Sequence, residues 1–126
     1  MDPQTISVIA KTAVGFVSSY LAKAGEAAAK KVFQDICQAL KGRFDERPAA
    51  QKALTDLQKA PDDADLQAVL RVQLKELLAE DEAFAAQLQQ LLQKVGGTEV
   101  GANIIKQIAG DNAKQFGQVF GDVTFH

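Results

Sequence analysis

The sequence predicts an all-α fold, a bundle of four to five helices, followed by a flexible C-terminal tail of different chemistry. Up to residue 95 the chain is rich in alanine and leucine, with apolar residues spaced three and four apart, as in amphipathic helices. Beyond residue 95 leucine is absent, six of the nine glycines occur, and most apolar residues are β-branched or aromatic. We therefore predict a helical bundle over residues 1–95, a glycine-rich hinge over 96–102 and a separate element over 103–126.

The first helix is predicted over residues 3–22, because Asp2 can cap free amides and Pro3 suits a first helical turn. Lys11 is the single charge within residues 4–22, and the apolar residues wrap most of the helix. Such a helix lies either at the centre of a bundle or in lipid, and both interpretations stay open. Its length of ~30 Å matches one hydrocarbon thickness. The candidate membrane-interacting residues are Ile6, Ile9, Val14, Phe16, Val17, Tyr20 and Leu21.

Four further segments complete the predicted bundle, joined by short connections as in an up-and-down topology. The second runs from about residue 26 to 40, and Cys37 in its apolar stripe is expected to be a core residue, not a nucleophile. Pro48 opens the third segment and Pro61 ends it. Acidic residues at 62–65 and 80–82 are expected to cap the starts of the fourth and fifth helices. The expected inward residues are Ala29, Val32, Phe33, Ile36, Cys37, Leu40, Ala50, Ala53, Leu54, Leu57, Leu66, Val69, Leu70, Leu74, Leu77, Leu78, Phe84, Leu88, Leu91, Leu92 and Val95.

The composition argues against an enzyme. One cysteine and one histidine, at position 126, leave no multi-cysteine metal site and almost no histidine-based catalysis. We expect no catalytic residue, no metal, no cofactor and no small-molecule substrate. The net charge is −2, so the chain has no overall positive charge that would attract nucleic acid. A secretory signal peptide is the weaker alternative for the N-terminal segment, because Asp2 stands where such a peptide has a run of basic residues.

The charge divides along the chain. Residues 1–59 carry nine basic and six acidic groups, whereas residues 60–95 carry three basic and seven acidic groups. One interpretation is that helices of opposite charge pack against each other. The other is that the basic half approaches an anionic lipid surface.

The tail contains a repeat, Gln-Ile-Ala-Gly-Asp at 107–111 and Gln-Val-Phe-Gly-Asp at 118–122, eleven residues apart. Glycine followed by aspartate is typical of turns, so the tail is predicted to form short strands over 104–109, 113–120 and 123–125. Lone hairpins are marginal in water, whereas stacked identical copies satisfy every backbone group at ~4.8 Å spacing. A hairpin docked on the bundle and an unstructured terminus remain the alternatives. The candidate assembly residues are Gln107, Ile108, Gly110, Asp111, Asn112, Gln115, Phe116, Gly117, Gln118, Val119 and Gly121.

Both parts resemble a known architecture. The start Asp2-Pro3-x-Thr5-Ile6, the apolar first helix and the stretch Gly-Glu-Ala-Ala-Ala-Lys-Lys at 25–31 resemble the Bell domain of bacteria. That domain is the bacterial counterpart of fungal HeLo-type domains and of the four-helix executioner bundle of necroptosis. Residues 103–125 resemble bacterial amyloid signalling motifs. They are only broadly similar to the RIP homotypic interaction motif, because one extra residue separates Ile108 from Gly110.

The resemblance implies a cell-death effector in bacterial immunity. A NOD-like receptor carrying a matching motif would template the tail into fibrils, and the clustered bundles would release the first helix toward anionic membrane lipids. The protein would then be cytoplasmic and relocate to the cell membrane on activation, where it would form pores. The alternative is a helical adaptor without membrane activity that recruits partners through its β-forming tail.

Overall fold

The computed structural model describes residues 3–23 and 27–94, and these form an all-α bundle as the sequence predicts. Its five helices are α1 Pro3–Lys23, α2 Ala27–Phe44, α3 Pro48–Lys59, α4 Ala64–Glu80 and α5 Glu82–Gln93. Asp2, Val95, the predicted hinge at 96–102 and the predicted tail at 103–126 lie outside the described residues, as does the side chain of Ala29.

The second helix extends four residues beyond its predicted end at residue 40. It continues because Phe44 follows Leu40 by one helical turn and its side chain is fully buried in the core. Lys41 and Arg43 occupy the last turn, where their positive charge is favourable beside the free carbonyl groups. The predicted end at residue 40 was therefore too early, although Phe44 continues the four-residue spacing of Ile36 and Leu40.

Side-chain caps fix the starts of two helices, as predicted. Asp63 accepts hydrogen bonds from the backbone N–H groups of Asp65 and Leu66 at 2.9 and 3.2 Å. Asp81 accepts one from the N–H of Phe84 at 3.0 Å, and its own N–H donates to the carbonyl of Leu77 at 2.9 Å. A single residue therefore ends α4 and begins α5, so these helices turn sharply with their backbone groups satisfied.

The core is built around α1, which contacts each of the other four helices. The sequence-predicted inward residues are confirmed along α3 and over most of α4 and α5.

Val69 is an exception: 49% of it is exposed, as is 51% of Val72. These two valines lie three residues apart and share a face of α4 that points away from the stripe formed by Leu70, Leu74, Leu77 and Leu78. Phe33, Leu66 and Leu91 are only partly buried, at the margin of the core.

Ion pairs tie the α2–α3 corner to the α4–α5 junction. Arg43 lies 3.2 Å from the Asp81 carboxylate, and its guanidinium carbon lies 5.4 Å from the centre of the Phe84 ring. Arg47 pairs with Glu80, which is the last residue of α4 and not a cap of α5. Both arginines belong to the basic half of the chain and both carboxylates to the acidic half. Here the uneven charge serves helix packing, with the modest stabilisation expected of partly exposed pairs.

Candidate functional site

Helix α1 is the candidate functional element, because all seven predicted membrane-interacting residues lie on it. In the closed bundle Ile6, Ile9, Val14, Phe16 and Val17 are buried in the core. Tyr20 and Leu21 are partly buried and pack against that core. Side chains that would face lipid in a membrane are therefore covered by α2, α3, α4 and α5 in this conformation.

The outward face of α1 is a narrow polar stripe. Gln4 and Lys11 are exposed, and Ser7, Gly15 and Ser19 are half-buried at spacings of three and four residues. This stripe follows one side of the helix from its first turn to its last. An almost completely apolar helix can therefore occupy the centre of a small bundle while it meets water along a single line of short or charged side chains.

Among the described residues one helix, α1 over Pro3–Ala22, is long and apolar enough to cross a bilayer. This statement rests on the length and composition of the helix alone. The buried central helix of a soluble bundle has the same length and composition. Lys11 is the residue that distinguishes the two environments, because it is a charged side chain close to the middle of this 20-residue stretch. A lysine there is tolerated in water but is costly at the centre of a membrane.

Two buried hydroxyl groups on α1 are satisfied in different ways. Thr12 donates to the carbonyl of Val8, 2.8 Å away and one turn earlier in the same helix. Ser18 donates to the carbonyl of Pro61 in the α3–α4 connection, and accepts a hydrogen bond at 2.8 Å from the side-chain amide of Gln67 on α4. The same amide nitrogen lies 2.8 Å from the Pro61 carbonyl. We call this three-residue network the Ser18–Gln67 bridge.

The bridge was not predicted from the sequence. Its signal was present at Ser18, a polar residue surrounded at helical spacing by Val14, Val17 and Leu21, which are all apolar. A polar side chain on an inward face needs a hydrogen-bond partner, so its presence predicts one. The identity of the partner, 43 residues away at Pro61, depends on how the helices pack.

Aromatic side chains hold the C-terminal part of α1 against α2. The rings of Tyr20 and Phe33 are stacked, with centroids 4.1 Å apart and planes inclined by 16°. Tyr20 also lies 6.4 Å from the Phe16 ring at a tilted angle. Such contacts add to the stabilisation from burial alone, so Tyr20 stabilises the packing of α1 against α2.

A comparison with known families gives the chain a family. The model of the Het-E N-terminal domain family matches residues 1–124. The chain belongs to this family. Membership supports a HeLo-like domain, as the sequence resemblance implies, and is consistent with a family of cell-death effectors. Comparison with curated proteins and with solved structures finds no match.

Cys37 of this Het-E N-terminal domain lies in the hydrophobic core, as predicted. Burial raises the pKa of the Cys37 thiol to about 11, against a smaller opposing effect of Lys41. Because only the thiolate is nucleophilic, the native thiol has little reactivity at neutral pH. Within residues 3–23 and 27–94 no three histidine, cysteine, aspartate or glutamate side chains converge as a metal site would require.

The raised pKa predicts slow modification of Cys37. With an aromatic disulfide reagent at pH 7.5, we expect the folded protein to react about 100-fold more slowly than the protein in denaturant, because two pKa units reduce the thiolate fraction by that factor. The rate should increase as the pH approaches 11. Measured release of the chromophoric thiol checks this, and a native rate equal to the denatured rate would place Cys37 outside the core.

Proposed function

We propose that this protein is a membrane-targeting cell-death effector in which α1 is the membrane-active element and residues 103–126 are the trigger. The observation that carries the proposal is the family match, which extends over residues 1–124 and so includes both the bundle and most of the predicted assembly segment. The buried, bilayer-length α1 supports it from a second side.

The first step is templated assembly of the tail. A NOD-like receptor with a matching motif presents an ordered copy, and the tail of this protein pairs with it as a further layer. Adding a layer satisfies backbone groups that a lone strand leaves open, whereas starting a stack does not. Assembly therefore has a threshold, and once past it many bundles are held at high local concentration.

The second step is transfer of α1 from the bundle to the bilayer. In water this opening is unfavourable, because Ile9, Phe16 and Val17 are each fully buried and each contributes about 1.5–3 kcal/mol of burial. Lipid tails are as apolar as the core, so the same side chains lose little when they enter a membrane. The bilayer is therefore the solvent in which the released helix is stable, and several clustered helices can perforate it.

Exposed lysines assist the approach to the surface. Lys11, Lys30 and Lys31 all lie on the outside of the bundle, and each basic residue near an anionic bilayer contributes about 1 kcal/mol. We propose that the protein is cytoplasmic before activation and binds anionic lipids after it. The role is non-enzymatic, since in this scheme the chain acts only by assembly and insertion.

Replacement of Lys11 by leucine tests the membrane role of α1. Lysine at the centre of a membrane helix costs about 2.5–3.5 kcal/mol, whereas leucine is favourable. Lys11 is exposed in the bundle, so its loss changes the folded state little. We expect K11L to release dye from anionic liposomes at a protein concentration at least about tenfold lower than the parent protein.

The matched control is Lys75→Leu, the same chemical change at an exposed position on α4. It alters net charge and surface hydrophobicity equally but leaves α1 unchanged, so its leakage curve should follow that of the parent protein. If K75L and K11L increase leakage alike, α1 is not the inserting helix. If assembled protein releases no dye at any concentration, the membrane role is wrong and the adaptor function takes its place.

A further inference from the structure

We infer that the Ser18–Gln67 bridge is a polar latch that keeps α1 in the closed bundle and sets the threshold for its release. The inference rests on the proposed release of α1 and names the contact that resists it. It arises from one geometric fact: a buried hydroxyl of the central helix is bonded to a different part of the chain, and not to its own helix.

Three atoms make the latch specific. The Ser18 hydroxyl donates to the Pro61 carbonyl and accepts from the Gln67 amide, while that amide also reaches the Pro61 carbonyl at 2.8 Å. Ser18 is only 6% exposed, so water does not readily replace either partner. The three groups close a small ring of hydrogen bonds that joins α1, the α3–α4 connection and the start of α4. Outward movement of α1 must break it.

The latch contributes to the free-energy difference between closed and released α1 more specifically than the apolar contacts do. When α1 moves from core to lipid, its isoleucine, valine and phenylalanine side chains exchange one apolar environment for another. The bridge exists only in the closed state. It shifts the equilibrium toward that state by the difference between its free energy and that of the hydrogen bonds that replace it after release.

Release does not leave the Ser18 hydroxyl without a partner. In a membrane helix it can donate to the carbonyl of Val14, one turn earlier, in the same way that Thr12 donates to the Val8 carbonyl at 2.8 Å. Pro61 and Gln67 lie in partly exposed positions at the end of the bundle and become hydrated. The latch therefore favours the closed state and can open without leaving an unsatisfied group in lipid.

The contact also has a defined place along α1. Residues 6–17 are held mainly by apolar packing, whereas the bridge at Ser18 and the stacking of Tyr20 on Phe33 are directional contacts near the C-terminal end. A helix held in this way resists separation at the end that leads into the second helix.

The test compares Ser18→Ala and Gln67→Ala with Thr12→Val in the full-length chain. Thr12→Val removes a buried hydroxyl of α1 whose bond lies within the helix, so it controls for simple loss of polarity. Amide hydrogen exchange reports the opening of α1 against that of α3, and dye release from anionic liposomes reports insertion. We expect S18A and Q67A to increase α1 exchange about five- to tenfold, and to lower the leakage threshold similarly, with less than a twofold effect for T12V.

The double variant S18A/Q67A measures the energetic coupling between the two side chains. Each single change already removes the bond between the two side chains, so the double effect should be smaller than the product of the single effects. If S18A and Q67A leave α1 exchange no faster than T12V does, or accelerate α1 and α3 equally, the latch is rejected. If α1 exchange increases but no variant releases dye, the latch stands as a closure of the bundle and the membrane function falls.

Discussion

Replacing Phe16 by aspartate is expected to unfold the bundle at 25 °C. The Phe16 side chain is fully buried at the centre of the core. Removing a buried phenylalanine costs about 3–5 kcal/mol through lost burial and a cavity, and an unpaired carboxylate in an apolar site adds several kcal/mol more. Because the total stability of a small domain is about 5–15 kcal/mol, this change removes most or all of it. Loss of the cooperative helical transition in far-ultraviolet circular dichroism checks the expectation.

Two matched variants separate burial from charge. Phe16→Leu keeps an apolar side chain and should leave a cooperative transition at a lower denaturant concentration. Lys11→Asp introduces the same carboxylate on the exposed side of the same helix and should change the free energy of unfolding by less than about 0.5 kcal/mol. A folded F16D protein with parental stability would contradict the central position of α1. The expected unfolding also explains why a charge at Phe16 cannot test membrane insertion, whereas a change at Lys11 can.

The local chemistry of the sequence predicts most of the helices. Proline at residue 48 and aspartates at residues 63 and 81 define helix starts through contacts within one turn, so no knowledge of the tertiary structure is needed to place them. The regular leucine spacing of α4 similarly predicts its buried stripe. These features depend on the nearest neighbours in sequence, which are visible in any single chain.

The features that the sequence did not predict all depend on distant neighbours. Val69 fits the apolar pattern of α4 but lies on a side of the helix where about half of it, 49%, stays exposed. Phe44 is in helical register with Leu40, but its burial depends on how the helices pack. Ser18 finds Pro61 only when the helices are packed. In each case the residue type was known, and the missing information was which element lies opposite.

The same limit applies to the function of α1. A helix of isoleucine, valine, alanine and phenylalanine is stable both in a protein core and in a bilayer, so its apolar composition cannot distinguish the two. Lys11 and Ser18 can, because water, core and lipid treat a charge and a hydroxyl differently. The polar positions of this apolar helix are therefore where its function is tested most directly.

Proline at Ile108 or Val119 is expected to abolish fibre formation by the full-length protein. Each position is the β-branched residue of one copy of the tail repeat, and proline removes the N–H group that a strand in a cross-β stack donates to its neighbour. In the proposed scheme the tail assembles apart from the bundle, so the thermal transition of the bundle should be unchanged. Thioflavin fluorescence and fibre diffraction at ~4.8 Å measure the assembly.

The matched control is Thr98→Pro, a proline in the predicted hinge and outside the predicted strands. It should assemble at the parental rate, because a proline between the bundle and the stack interrupts no strand pairing. Equal fibre yields from I108P, V119P, T98P and the parent protein would show that residues 104–109 and 113–120 are not the paired segments. Loss of fibres in I108P and V119P with retention in T98P, together with an unaltered bundle transition in all three, would assign assembly to the tail and show that it is separate from the folding of the bundle.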